Sequence, residues 1–164
     1  LTTAVDNCDN TAARLGMANA SLLAGAAFSN SMVGLVHAIG HALGGVCRVA
    51  HGEAMNILLP AVMRYNLPKC ADRYGELLLP LAGPEIYAAT PAPERAAAAI
   101  QAIEGLRGRL AQTCGLPVRL QDTGKVRQED FDAVIARALD DGAIIVNPRE
   151  AGASDIRALL QEVW

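Results

Sequence analysis

Long stretches of strong helix formers dominate this chain, and short clusters of glycine, proline and asparagine separate them. Alternation of β-branched and polar residues, the pattern of a half-buried strand, is nearly absent. Hydrophobic residues make up 52% of the 164 residues and charged residues 19%, a balance that suits one packed core and argues against disorder. The sequence therefore predicts one all-α domain over residues 1–164, a helical bundle with short loops.

Cap and breaker residues divide the chain into about seven predicted helices. Gly44 and Gly45 are predicted to end the second helix, and Asn66 with Pro68 to end the third. The predicted ranges are 11–28, a helix through 37 and 41 to 43, 52–65, 71–79, 94–112, a helix beginning at 128–130, and 156–164. The predicted buried face of the helix that begins at 128–130 consists of Phe131, Val134, Ile135, Ala138 and Leu139.

All three histidines of the chain lie between positions 37 and 51. His37 and His41 are four residues apart on a predicted helix and therefore share a face. His51 follows the double glycine, so a chain that folds back there can bring it near His37. Imidazole nitrogen is a good ligand for divalent iron or zinc, which makes a metal site one interpretation. The other is that these are ordinary core or surface histidines, because a pair of histidines four apart also occurs in helices by chance.

Several functional classes find no support in the sequence. The net charge is −3 and no basic stripe is present, which argues against a nucleic-acid partner. No apolar run reaches the roughly 20 residues of a membrane span, and no secretory leader is visible, so we predict a cytoplasmic protein without a membrane partner. The four cysteines form no CxxC pair and are predicted to be reduced. The serines do not match the nucleophile elbow of a hydrolase, and the glycines do not match a phosphate-binding loop.

Residues 25–68 resemble the signature of the iron-containing alcohol dehydrogenase family. The helix reads VHAIGHALGG, and a His-Gly pair, a Leu-Pro pair and a Tyr-Asn pair follow it in the family's order and spacing. Towards the C-terminus, Asp141-Gly142 and Asn147-Pro148-Arg149 also resemble the family's pattern. The resemblance covers nearly the whole chain, and its histidine motif is highly specific.

The resemblance implies the helical C-terminal domain of the dehydroquinate synthase-like fold. It implies that His37 and His51 are ligands of a catalytic divalent metal, Fe²⁺ or Zn²⁺. His41 would lie beside the metal, where it contacts substrate or nicotinamide or relays a proton. Phe28 is our hypothesis for part of the cofactor-binding wall. The two other ligands of the family, an Asp and a His four residues apart, and the Rossmann-like domain that binds NAD or NADP, are expected outside this chain.

The activity that the resemblance implies is reversible oxidation of a small alcohol to an aldehyde or ketone, with the metal as a Lewis acid, in an enzyme that forms homo-oligomers. Maleylacetate reductase, a branch of the same superfamily, is an alternative. An alternative from a different class is a non-catalytic structural or oligomerisation module, since the apolar content of the chain would suit self-association.

Overall fold

The computed structural model describes residues 1–164 and consists of helices and connecting loops, without a β-strand. The prediction of an all-α domain is confirmed. The α-helices are α1 Thr2–Asp6, α2 Thr11–Ser31, α3 Leu35–Cys47, α4 His51–Ala82, α5 Pro84–Ala89, α6 Arg95–Cys114, α7 Phe131–Leu139 and α8 Ala153–Glu162. Short 3₁₀ helices cover Ala92–Glu94, Gln121–Thr123, Gln128–Asp130 and Gly142–Val146.

The hydrophobic core lies where α3 and the first half of α4 meet α7 and α8. Leu35 and Leu43 from α3, Leu58 from α4, Val134 from α7 and Leu160 from α8 are all fully buried there. These side chains lock α3 in place from several sides. Because α3 carries two of the three histidines, the core holds the candidate site rigidly.

The second half of α4 packs along α6, and the two helices run antiparallel. Gly75 lies against the start of α6, where an added Cβ would come within 3.3 Å of the Cβ of Arg95. Further back along α4, Arg64 forms an ion pair with Glu104, which lies further along α6. Arg64 also pairs with Glu162 of α8, at 2.7 Å. The arginine therefore ties three helices together at the surface.

Helix α3 does not end at Gly44 and Gly45, as predicted, but continues to Cys47. The left-handed residue that closes it is Arg48, with φ 59°, whose N–H donates to the carbonyls of Gly44 and Leu43. Each internal glycine costs about 1 kcal/mol relative to alanine. Leu43 is fully buried and Cys47 packs against the core, and this packing outweighs the cost.

The predicted helices 52–65 and 71–79 are in fact one helix, α4, which passes through Pro60, Pro68 and Pro80. A proline inside a helix removes a hydrogen bond and costs about 3 kcal/mol, which is why the sequence indicated a break. Pro60 is buried in the core, and α6 packs alongside the helix further on. Asn66 is also buried and forms side-chain hydrogen bonds to Asn147 instead of ending the helix.

Two other predictions about the helices have mixed outcomes. Gly115 ends α6 in the left-handed conformation, with φ 70°, close to the predicted end of this helix at residue 112. On α7, four of the five residues predicted to be buried are buried, whereas Leu139 is 40% exposed. It is the last residue of the helix, where the chain leaves the core.

Helix α2 has no buried residue along its whole length. Its large apolar side chains are mostly exposed, with Leu15 at 61%, Leu22 at 73% and Leu23 at 70%. No single helix of the chain is long and apolar enough to cross a bilayer. Helices α2 and α3 taken together, with a bend of 106° between them, have the length and apolar composition of a span.

Candidate metal centre

The three histidines form a compact cluster between the first half of α3, which carries His37 and His41, and the first residue of α4, His51. The ring centroids lie 5.6 Å apart for His37 and His41, 5.4 Å for His37 and His51, and 5.7 Å for His41 and His51. The rings therefore stand at the corners of a nearly equilateral triangle. His37 and His41 share a face of α3, as the spacing predicted, and the turn at Arg48 returns the chain so that His51 opens α4 beside them.

A buried pair of amides holds the first turn of α3, just ahead of His37. The side-chain oxygen of Asn147 accepts from the backbone N–H of Leu35 at 3.1 Å and from the amide of Asn66 at 3.0 Å. Its amide donates to the side-chain oxygen of Asn66 at 2.9 Å and to the carbonyl of Arg149. Gly34 leaves room for this contact, because an added Cβ would lie 2.9 Å from the Asn147 oxygen. We call Asn66 and Asn147 the amide clamp.

The clamp links three distant parts of the chain at one point. Asn66 belongs to α4, and Asn147 follows the 3₁₀ helix Gly142–Val146. The N–H groups of the first turn of a helix have no partner within the helix, so they need an acceptor from elsewhere. Asn147 supplies one, and the start of α3 is therefore fixed relative to α4. The sequence predicted Asn66 to end a helix and placed Asn147 in a motif that resembles the family's pattern, and it indicated this role for neither residue.

Asp141 also belongs to the candidate site, and the sequence assigned it no role. Its carboxylate lies 2.8 Å from Nδ1 of His41. The other carboxylate oxygen accepts from the backbone N–H of Ala143, also at 2.8 Å. The only sequence signal for such a residue is general: a histidine in a site usually hydrogen-bonds a carboxylate or carbonyl. The two residues are 100 positions apart, and the chain has 17 acidic residues from which to choose.

The electrostatics of the cluster keep one imidazole neutral. Burial, followed by repulsion from His51 and His41, lowers the pKa of His37 below the ordinary value of 6.5. Partial burial raises the pKa of Asp141, but the hydrogen bonds from Ala143 and His41 together lower it by more, so its net pKa lies below the ordinary value. At neutral pH, His37 therefore presents an unprotonated nitrogen and Asp141 a full negative charge.

The imidazole nitrogens of the cluster are donor atoms of the kind that divalent transition metals bind. An ion bonded tetrahedrally to two imidazole nitrogens at about 2.1 Å holds their ring centroids about 5 Å apart. All three pairs of rings in the cluster, at 5.4 Å, 5.6 Å and 5.7 Å, lie close to that separation. No group of three His, Cys, Asp or Glu side chains is arranged to hold one ion. The cluster therefore offers part of the three or four ligands that a catalytic ion takes.

Two cavities of different polarity flank the cluster. The one beside His37 has a volume of about 390 Å³ and is lined mainly by apolar side chains: Val33, Val36, Met55 and Leu59, together with Gly34 and Asn56. The one beside His41 is smaller, about 250 Å³, and is lined by Ala42, Gly45, Arg137, Asp140 and Asp141. Phe28, our predicted cofactor contact, is about half exposed on α2 and lines neither cavity.

The lowered pKa of His37 predicts that the chain without metal loses stability in mild acid. The unfolded chain takes up a proton near pH 6.5 and the folded chain only at lower pH. The stability that His37 contributes is therefore complete above about pH 6.5 and is lost as the pH falls towards its folded pKa. Urea unfolding followed between about pH 7.5 and 5 should show this fall, and it should be shallower in His37→Gln. An equal slope in both proteins would contradict the assignment.

An all-helical domain that gathers three imidazoles from two consecutive helices has the donor groups of a metal-binding domain. The model of the Fe-containing alcohol dehydrogenase family, C-terminal part, matches residues 1–164. The chain therefore belongs to the Fe-containing alcohol dehydrogenase family, which confirms the resemblance seen in the histidine motif.

Characterised relatives and a solved structure agree with this assignment. The chain is 39% identical over 157 residues to 1,3-propanediol dehydrogenase of Klebsiella pneumoniae, which covers 94% of the chain and 38% of the relative. It is 40% identical over 169 residues to the 1-propanol dehydrogenase PduQ of Salmonella typhimurium, over 99% of the chain and 44% of the relative. A crystal structure of 1,3-propanediol oxidoreductase superposes with a TM-score of 0.88 at 36% identity, over 99% of this chain and 41% of that one. The chain thus spans about two fifths of the length of these proteins.

Proposed function

We propose that this chain is the metal-holding helical domain of an NAD(P)-dependent oxidoreductase that interconverts small alcohols and the corresponding aldehydes or ketones. The observation that carries the proposal is the triangle of imidazoles, because its rings stand at a separation that suits ligands of one ion. The resemblance to the family's histidine motif singles out His37 and His51 as the ligands. The relatives support the reaction class, since two of them are named for dehydrogenation of 1,3-propanediol and of 1-propanol.

The three histidines have different roles in this proposal. His37 and His51 hold a divalent ion, Fe²⁺ or Zn²⁺, through neutral imidazole nitrogens. An ion bound there supplies Lewis-acid chemistry, which lowers the pKa of an alcohol oxygen. His41 accepts the proton that the alcohol gives up on oxidation and returns it on reduction. The ring of His41 is on the open side of the cluster, since its side chain is 44% exposed.

The cavity beside His37 is our candidate for the alkyl part of the substrate. Its volume of about 390 Å³ and its apolar walls suit a short aliphatic chain. Asn56 is the polar side chain next to it, and its amide is already engaged with the carbonyl of Pro117 at 2.8 Å. Binding of NAD or NADP, with Phe28 and His41 as contacts, we assign to the complete enzyme. We likewise propose that the other metal ligands lie in the part of the complete enzyme that corresponds to the rest of the relatives.

The first test is metal titration of the purified chain with Zn²⁺ and, without oxygen, with Fe²⁺. His37→Ala and His51→Ala should each weaken binding at least about tenfold, because each removes one nitrogen donor. The matched control is His41→Ala, which removes an imidazole from the same triangle and should leave the affinity unchanged. Equal losses in all three variants would contradict the separate role of His41. Absence of binding by the unmodified chain would contradict the proposal that this pair holds a metal.

A structural or oligomerisation role is the second candidate, and the exposed apolar side of α2 favours it. Leu15, Leu22 and Leu23 are all at least 61% exposed on this one helix, and several exposed apolar side chains together mark a contact surface. Self-association that depends on these leucines, combined with no metal binding, would support this candidate over the enzymatic one. Sedimentation of Leu22→Ser/Leu23→Ser beside the unmodified chain measures it.

A further inference from the structure

The hydrogen bond between His41 and Asp141 decides which nitrogen of the ring is free. An ionised carboxylate only accepts hydrogen bonds, and the pKa of Asp141 lies below the ordinary value, so it is ionised at neutral pH. At 2.8 Å, Nδ1 of His41 must therefore donate its proton to the carboxylate. In the neutral ring, the proton then lies on Nδ1, and Nε2 is left with a lone pair.

We propose that Asp141 is a positioning residue that holds neutral His41 in its Nδ1–H tautomer, so that Nε2 faces the reaction as the proton acceptor. This inference rests on the role of His41 in the proposed function. Asp141 touches neither substrate nor metal in it and acts through His41 alone. An imidazole in water favours the opposite tautomer, so the carboxylate has an effect that a free histidine would not show.

The surroundings of Asp141 make it rigid enough for this role. One of its oxygens accepts from the N–H of Ala143 and thereby caps the 3₁₀ helix Gly142–Val146. That segment packs against α3, the helix that carries His41. The other oxygen is thus aimed at His41 by the backbone. A carboxylate held on both oxygens orients its partner more strictly than a free side chain on the surface does.

The two hydrogen bonds also make the role testable with a substitution of the same shape. An asparagine at position 141 has one acceptor oxygen and one amide group in place of two oxygens. The backbone N–H of Ala143 can only donate, so it takes the oxygen. The amide is then left facing Nδ1 of His41, which must accept, and the ring proton moves to Nε2. Asp141→Asn should therefore keep the fold and reverse the tautomer.

Asp140, the residue before Asp141 in the chain, offers a control of equal charge. Asp140 lines the same polar cavity but is exposed and makes no hydrogen bond to His41. Asp140→Asn removes one negative charge from the same surface, as Asp141→Asn does. A difference between the two variants is therefore due to the hydrogen bond and not to the local charge.

The experiment is ¹⁵N NMR of the histidine rings in the metal-free chain at about pH 9, well above the usual pKa of imidazole. The His41 signals are assigned by their loss in His41→Gln. We expect a protonated Nδ1 and a bare Nε2 in the unmodified chain and in Asp140→Asn, and the reverse in Asp141→Asn. A protonated Nε2 in the unmodified chain would overturn the proposal, and so would an unchanged tautomer in folded Asp141→Asn.

This readout is separate from metal binding and turnover. Loss of the proposed function would show as absent metal binding, with the tautomer of His41 still set by Asp141. Failure of the present inference would show as a wrong tautomer while His37 and His51 still bind metal. Asp141→Ala serves as a second variant: it removes the acceptor entirely, and His41 should then shift towards the Nε2–H tautomer that imidazole favours in water.

Discussion

Replacing Leu58 with alanine is expected to lower the free energy of unfolding by about 2–5 kcal/mol. Leu58 is completely buried in the core between α3, α4, α7 and α8. The substitution removes most of a side chain and leaves a cavity that rigid neighbouring helices fill only in part. A loss of this size is a large fraction of the stability of an ordinary domain. Urea unfolding followed by circular dichroism measures it.

The neighbouring residue offers a matched control on the same helix. Leu59 is 37% exposed and lines the cavity beside His37. Leu59→Ala deletes the same atoms and should cost clearly less, about 1 kcal/mol, since the leucine is partly in water already. Equal losses at the two positions would mean that α4 is rotated relative to the orientation described.

Replacing Asn147 with alanine is expected to cost about 2–4 kcal/mol, mainly through the partners left behind. The amide of Asn66, 5% exposed, would lose both of its hydrogen bonds to Asn147. The N–H of Leu35 would lose its acceptor at the start of α3. Buried polar groups without partners destabilise the fold because they lose their hydrogen bonds to water and gain none within the protein. The free energy of unfolding should fall well below that of Asn30→Ala, an exposed asparagine with one local hydrogen bond.

A double-mutant cycle separates the clamp from general damage. If Asn66 and Asn147 act as one unit, the double variant Asn66→Ala/Asn147→Ala should cost less than the two single losses added together. The reason is that the second substitution removes a group that the first left unpaired. Strict additivity would show that the two amides contribute independently and would contradict the clamp.

The helical class was predictable because composition and periodicity act locally, whereas several helix ends were not. Asn10 accepts from the N–H of Ala13 and starts α2 as its residue type indicates, and Gly115 ends α6. At Gly44 and at Pro68 the local preference for a break is outweighed. There, the neighbouring helices supply contacts that the sequence shows only as distant apolar residues. The errors in the prediction therefore mark where tertiary packing acts most strongly on the backbone.

The histidines of the site could be predicted from the sequence and Asp141 could not, because only the histidines are brought together by local helical spacing. His37 and His41 share a helix face, and the spacing of helical residues is enough to place them together. Asp141 lies on a different element, and its approach to His41 depends on how the 3₁₀ helix Gly142–Val146 packs on α3. Nothing in the spacing of residues singles it out from the other acidic side chains. The orientation of a ring is thus harder to infer from sequence than the position of its Cα.

The contacts within the imidazole cluster join residues close in sequence, whereas the contact to the orienting carboxylate joins residues far apart. The three rings come from positions 37 to 51, and closing so short a segment costs little chain entropy. The bond from His41 to Asp141 closes a loop of 100 residues and forms only when the C-terminal elements dock. Because synthesis proceeds from the N-terminus, the nascent chain completes the donor pair His37 and His51 well before Asp141 leaves the ribosome. We therefore expect His51 to approach His37 early in folding and the docking of α7 and α8 to fix their positions later. Control of the proton on His41 should arise last.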